Sequence, residues 1–278
     1  MNDTPEIITQ KPKKRAVLVG INKYDLPNAD LSGCVNDVED VYDLLVKTYN
    51  FEPDNIRVLT DERATKLNIE SRMEWLIKES QPGDEAVYYH SGHGSRIRDR
   101  NGDELTDQLD ELLVTYDHSW DFPLIDDDIG EMFKDLKEEV FLSVLVDTCH
   151  SGTMTRTLNN FSGNPHGEIV NIRFLDPPFD IACRSFNRDM KVKVVGARDG
   201  NEEDQRHILL SGCKEFQTSK ELVFNGNVRG ALTYNLTKIL RENLEQFDFN
   251  YMRNISTVKD YMTALDICYQ EILKKWEN

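Results

Sequence analysis

A chain of 278 residues with 39% hydrophobic side chains can build one large core or two small ones, and it is too apolar to be disordered throughout. Its net charge of −17 excludes the basic face of a nucleic-acid binder, while a negative field would draw in cationic substrates. No run approaches the roughly 18 apolar residues of a membrane span. The five cysteines (Cys34, Cys149, Cys183, Cys213, Cys268) are widely spaced without a C-x-x-C pair, which argues against a disulfide framework or a zinc site.

The segment from Met1 to Lys14 is polar, contains Pro5 and Pro12, and lacks an apolar stretch of signal-peptide length, so it reads as a flexible N-terminal segment. With the cysteine pattern, this suits a reducing compartment and a cytoplasmic protein. Ala16-Val17-Leu18-Val19-Gly20-Ile21 is a continuous apolar run, the mark of a strand buried on both faces. A helix is predicted from about Asn36, with Val38, Val41, Leu44 and Leu45 at helical spacing. Ile56 to Leu59 is the next strand, and Asn68 to Lys78 a helix with Ile69, Met73, Leu76 and Ile77 on one face. Pro82-Gly83-Asp84 turns the chain into a strand ending at His90. An acidic loop, Asp99 to Asp128, leads into a short helix carrying Ile129, Met132, Phe133 and Leu136, and then a strand ending at Asp147. Thr153 to Asp189 shows no sustained period and reads as a long loop. Strands at Val192 to Val195 and Ile208 to Ser211 follow, then helices over about Gly230 to Leu244 and Val258 to Lys275.

Strands alternating with helices of this length indicate an α/β fold with a mostly parallel central sheet flanked by helices on both faces. The layout is a single domain over 15–278, with a larger N-terminal part (15–155), a loop open to processing (156–190) and a smaller C-terminal part (191–278).

Two segments carry chemistry. His90-Ser91-Gly92-His93-Gly94 and Asp147-Thr148-Cys149-His150-Ser151-Gly152 each follow a predicted buried strand. Ligands bind outside the carboxyl ends of strands in open α/β sheets, so a histidine and a cysteine there can meet while far apart in sequence. Cysteine attacks as thiolate and needs a base, for which His93 is the candidate and Cys149 the nucleophile. Backbone N–H groups of Gly94 and Cys149 could bind a tetrahedral oxyanion. A buried cysteine at a strand end is usually inert packing, and a lone histidine is more often structural. Here each stands in a small-residue loop after a strand. His90 is expected to pack and His150 to point away from the nucleophile. Asp147, two residues before Cys149, would hinder thiol ionisation unless it serves a cation brought by the substrate.

These segments, with Ala16 to Tyr24, Leu31 to Asp37, Leu210 to Cys213 and Gln217 to Ser219, resemble the metacaspases (orthocaspases in prokaryotes) of the caspase-like superfamily. In caspase signatures the histidine lies about 50 residues upstream of the cysteine. The resemblance implies a caspase-haemoglobinase fold, a dyad of Cys149 and His93, and hydrolysis of peptide bonds after arginine or lysine in protein or peptide substrates by a monomer. It implies that Cys34, Asp37, Ser91 and Asp147 line the pocket for the residue preceding the scissile bond. Two carboxylates there suit a guanidinium or ammonium group and oppose an aspartate. Asp37 also falls in the first turn of a predicted helix, where carboxylates are favoured anyway. No organic cofactor is implied, but many metacaspases need calcium, for which Asp110, Asp126 and Asp127 are the matching carboxylates. Arg156, near the fourth family position, could substitute for the ion as an internal cation. Asp126 to Asp128 could instead cap a helix. Asp99 to Asp103 suggests an EF-hand only superficially, since Glu104 replaces its glycine. The loop arginines and lysine (Arg156, Arg173, Arg184, Arg188, Lys191) are candidate self-cleavage points, with Arg184 to Lys191 preferred. The competing reading is a catalytically silent caspase-like scaffold or adaptor, against which all the motif residues stand intact.

Overall fold

The computed structural model describes residues 11–98, 109–149, 169–183, 207–211 and 219–242. Its centre is a five-stranded parallel sheet in the order β2-β1-β3-β7-β9. These strands are β1 (Lys14–Gly20), β2 (Ile56–Thr60), β3 (Glu85–Ser91), β7 (Phe141–Asp147) and β9 (His207–Ser211). The continuous apolar run in β1 divides by alternation. Ala16 and Leu18 pack with Val38, Val41, Leu44 and Leu45 of helix α1 (Cys34–Lys47) on one face. Val17 and Val19 pack with Ile69, Met73, Leu76 and Ile77 of α2 (Lys66–Glu79) on the other. Helix α2 starts two residues before the predicted Asn68 because Thr65 caps it, accepting the Asn68 N–H.

The acidic stretch before β7 is more ordered than its composition predicts. It contains β5 (Leu109–Leu113) and β6 (Leu124–Ile125), which with β4 (Gly94–Arg98) form an antiparallel three-stranded sheet. Leu112, Leu113 and Leu124 enter the main core, which accounts for the pairing. Helix α3 (Asp126–Lys134) follows directly, with Ile125 rather than an aspartate at its cap position and Asp126 to Asp128 in its first turn. Leu136 lies beyond the helix but is buried with Phe133.

The expected loop over 153–189 also departs from prediction. Ile169–Ile172 is a strand, β8, pairing antiparallel with β10 (Lys220–Phe224), which pairs in turn with β11 (Asn227–Gly230). Four residues are too few to show a period, so this strand was hidden in its sequence. Phe179–Cys183 forms a short helix, α4, and α5 (Ala231–Glu242) packs beside α1. The predicted elements at 192–195 and 258–275 lie outside the described residues, as do residues 1–10. Among the described residues no helix is long and apolar enough to cross a membrane.

The sheet register sets up the cleft. Gly20, Ser91 and Asp147 end β1, β3 and β7 side by side, paired Gly20 with Ser91 and Ser91 with Asp147. His93 and Cys149 each lie two residues past those ends, at the carboxyl edge of the sheet.

Candidate active site

The two candidate catalytic loops touch through backbone. A Cβ on Gly94 would fall 2.3 Å from the Cys149 carbonyl oxygen, so only glycine permits this approach. His93 and Cys149 are both buried. The His93 Nε2 lies 2.9 Å from the Ala29 carbonyl oxygen, an acceptor, so Nε2 carries the proton and Nδ1 keeps its lone pair. Among the described residues Nδ1 has no hydrogen-bond partner. Burial lowers the imidazole to about 4, against the Ala29 hydrogen bond, so it is neutral near pH 7. The Tyr24 hydroxyl accepts the His93 N–H at 2.8 Å, and its ring lies 5.2 Å from the imidazole, fixing the loop from the far side. His90 is fully buried beside Tyr88, as expected of a packing residue, while His150 and Arg156 lie outside the described residues.

Beside this pair is a pocket of carboxylates, and it holds the side chain of Arg173. That guanidinium is fully buried. Its Nη2 donates to Asp37 Oδ2 at 2.6 Å and lies 3.3 Å from Glu221 Oε1. Its Nη1 lies 3.1 Å from Asp147 Oδ2 and donates to the Asp147 carbonyl at 3.2 Å. The carboxylates are themselves held. Asp147 accepts from Ser219 Oγ, Thr233 Oγ1 and Thr233 N–H. Asp37 accepts from Ser91 Oγ at 2.9 Å and from the Gly230 N–H. Glu221 accepts from the Ser32 and Gly33 N–H groups and from Asn171 Nδ2. Burial pushes the Asp37 carboxyl up to about 6, with the Arg173 guanidinium pulling it back. Cys34 forms a wall, its sulfur 3.7 Å from Glu221 Oε1. Burial holds its thiol well above the ordinary range, unlike a nucleophile.

The backbone of Arg173 completes the arrangement. The N–H groups of Gly94 (3.0 Å) and Cys149 (3.2 Å) both donate to its carbonyl oxygen, and its own N–H donates to the Ser219 carbonyl at 3.1 Å. These are the two donors expected to bind an oxyanion, and they converge on one carbonyl next to the cysteine.

A family profile for the metacaspase peptidase C14 domain matches residues 14–158, just over half of the chain. The chain belongs to the metacaspase family. Metacaspase-1 of Schizosaccharomyces pombe is 30% identical over 284 residues, which cover 90% of this chain and 65% of that protein. Metacaspase-1 of Scheffersomyces stipitis is 30% identical over 275 residues, covering 88% of this chain and 67% of that one. The chain therefore spans about two thirds of the length of these curated relatives. A solved structure from Geobacter sulfurreducens is similar with a TM-score of 0.60 and 25% identity, covering 84% of this chain and 83% of that chain.

The profile ends before β8, β10 and α5, so Arg173, Ser219, Glu221 and Thr233 come from outside the matched metacaspase segment. Sequence reasoning named Arg173 only as one of several candidate self-cleavage points in a loop, not as a pocket residue, and missed Glu221. For Arg173 the available signal was a lone charge inside a short apolar run, Ile172-Arg173-Phe174-Leu175, whereas Glu221, next to Lys220 at the start of Leu222-Val223-Phe224, offered none. The carboxylates expected to bind calcium lie on β5 and in the first turn of α3. Asp110 is buried on β5, Asp126 and Asp127 begin α3, and among the described residues no three His, Cys, Asp or Glu side chains form a metal-binding group. Burial, with the neighbouring Asp127 and Glu111 charges, raises the Asp126 carboxyl to about 7.

Proposed function

We propose that this metacaspase is a cysteine endopeptidase that hydrolyses peptide bonds after arginine or lysine through Cys149 and His93. The thiol proton of Cys149 passes to His93 Nδ1, the nitrogen whose lone pair is available because Nε2–H is bound to Ala29. The thiolate attacks the carbonyl carbon, and the N–H groups of Gly94 and Cys149 take up the oxyanion charge. His93 returns the proton to the leaving amine, and water then hydrolyses the thioester. Asp37, Asp147 and Glu221 select the cationic side chain, with Ser91 and Cys34 shaping the pocket around Asp37 and Glu221.

One observation carries this reading. An arginine with its guanidinium among three carboxylates and its carbonyl on two converging amides is bound as a substrate residue preceding a scissile bond would be. The test is hydrolysis of short arginyl, lysyl and aspartyl fluorogenic peptides by wild type and Cys149→Ala. Arginyl and lysyl peptides should be cut by wild type alone. Cleavage after aspartate, or cleavage that survives loss of the sulfur, would refute the reading.

Calcium activation, a monomeric state and a cytoplasmic location belong to the same proposal, drawn from the resemblance and the cysteine pattern. Assays in chelator followed by added calcium, with size-exclusion chromatography, test the first two. No step above passes through a metal.

A further inference from the structure

We infer that the Arg173–Phe174 bond is the first bond this chain cuts in itself, and that the cut strand then stays in the cleft as a tethered product. The inference rests on the peptidase reading above and adds a cleavage site and a mode of regulation to it. The chain crosses the cleft on both sides of that bond. Upstream, β8 lies on β10 with Ile172 opposite Lys220 and Asn171 opposite Glu221, and the Arg173 N–H continues the ladder to Ser219. Downstream, Phe174 bridges to Gly94, the Leu175 N–H donates to the Gly94 carbonyl at 3.0 Å, and Ser95 Oγ donates to the Leu175 carbonyl at 2.6 Å. Between them the Arg173 carbonyl sits on the two amides beside Cys149.

The step balances within the chain. A bond forms between Cys149 sulfur and the Arg173 carbonyl carbon, and the bond to the Phe174 nitrogen breaks. The new amine takes the proton that His93 received from the thiol. Water then hydrolyses the thioester, leaving a carboxylate at Arg173 and restoring the thiol.

The two sides are held by different means. Upstream the chain keeps a strand ladder and a guanidinium buried among three carboxylates. Downstream, Phe174 is buried and Leu175 packs against the main core, with the Leu175 N–H and carbonyl both hydrogen-bonded. After cleavage Arg173 continues to fill the pocket, and opening to other substrates requires 169–173 to leave β10. While Arg173 occupies the pocket, the bonds after Arg184, Arg188 and Lys191, outside the described residues, are excluded as first cuts in cis.

The experiment is time-resolved intact-mass analysis of the 278-residue chain, wild type and Cys149→Ala, in chelator and in calcium, alongside arginyl-peptide hydrolysis. Wild type should yield pieces 1–173 and 174–278 at a rate independent of protein concentration, and Cys149→Ala should stay whole. Arg173→Gln should not be cut there. It should hydrolyse arginyl peptide about tenfold or more faster than freshly cut wild type, because a tethered competitor acts at millimolar effective concentration. Should Arg173→Gln fail to fold, Arg173→Lys keeps a cation in the pocket and should be cut after residue 173, more slowly. A first cut within 184–191, a rate that rises with concentration, or an uncut wild type that still hydrolyses arginyl peptides overturns this inference and leaves the peptidase reading standing. If no variant cuts itself or any arginyl or lysyl peptide, both fall.

Discussion

Replacing Glu221 with glutamine should shift the protein from preferring arginine toward accepting lysine. The carboxylate lies 3.3 Å from Nη2 of the bound arginine, and Nη1 is already engaged by Asp147. A hydrogen bond to a charged group in a buried site contributes about 2 kcal/mol net, so its loss should lower kcat/KM for an arginyl peptide about 30-fold. A lysine side chain is one bond shorter and ends in a single nitrogen, so it cannot reach Asp37, Asp147 and Glu221 together. Losing only the longer-range attraction, lysyl peptides should slow about threefold, since charge pairs weaken with distance even at low effective dielectric. The arginine-to-lysine ratio should thus fall about tenfold. With its amide oxygen in the Oε2 position glutamine keeps the Ser32 N–H and Asn171 Nδ2 bonds, so the fold should survive while the Oε1 bond to the guanidinium is lost. The assay compares matched arginyl and lysyl peptides in an Arg173→Gln background, where the chain's own arginine does not compete. An equal loss on both substrates, or a larger loss on lysine, would refute the argument that three carboxylates read the guanidinium fork.

Asp37 should set the acid limb of the pH profile. Only its charged form binds the substrate cation, and burial raises its carboxyl to about 6 even with Arg173 beside it, so in the opened pocket kcat/KM should fall as pH drops, with the limb at about 6 or higher. His93, lowered to about 4, is still neutral there, and Asp37→Asn should leave only the limb near 4 in the pH–rate profile. For stability the sign is opposite. A carboxyl raised in the folded state favours folding most below its ordinary value of 3.8, and that contribution is lost as pH rises through about 6, which pH-dependent melting of wild type against Asp37→Asn reads out. Tyr24→Phe removes the acceptor of the buried His93 N–H, costing about 1–3 kcal/mol of stability. With the imidazole less well held, kcat should drop while KM stays, and a rise in KM alone would contradict this positioning role. Thr233→Val strips Asp147 of one donor and should weaken arginyl peptides in KM.

The alternating apolar runs and helical periods were enough to derive the parallel sheet, because burial on both faces leaves a continuous hydrophobic signature in β1 and β3. The two small-residue loops after strands pointed to His93, Gly94 and Cys149 because chemistry at a sheet's carboxyl edge needs short, open loops at that point. What the linear chain could not reveal was which charges meet. Arg173 and Glu221 stand 48 residues apart, and each of them stands far from Asp37. Their convergence depends on β8 pairing with β10 across a register that no local period encodes. A buried arginine among carboxylates is stable only when all the partners arrive together, so its role is a property of the folded neighbourhood and not of the residue. The tertiary structure alone decided that the pocket was filled from within.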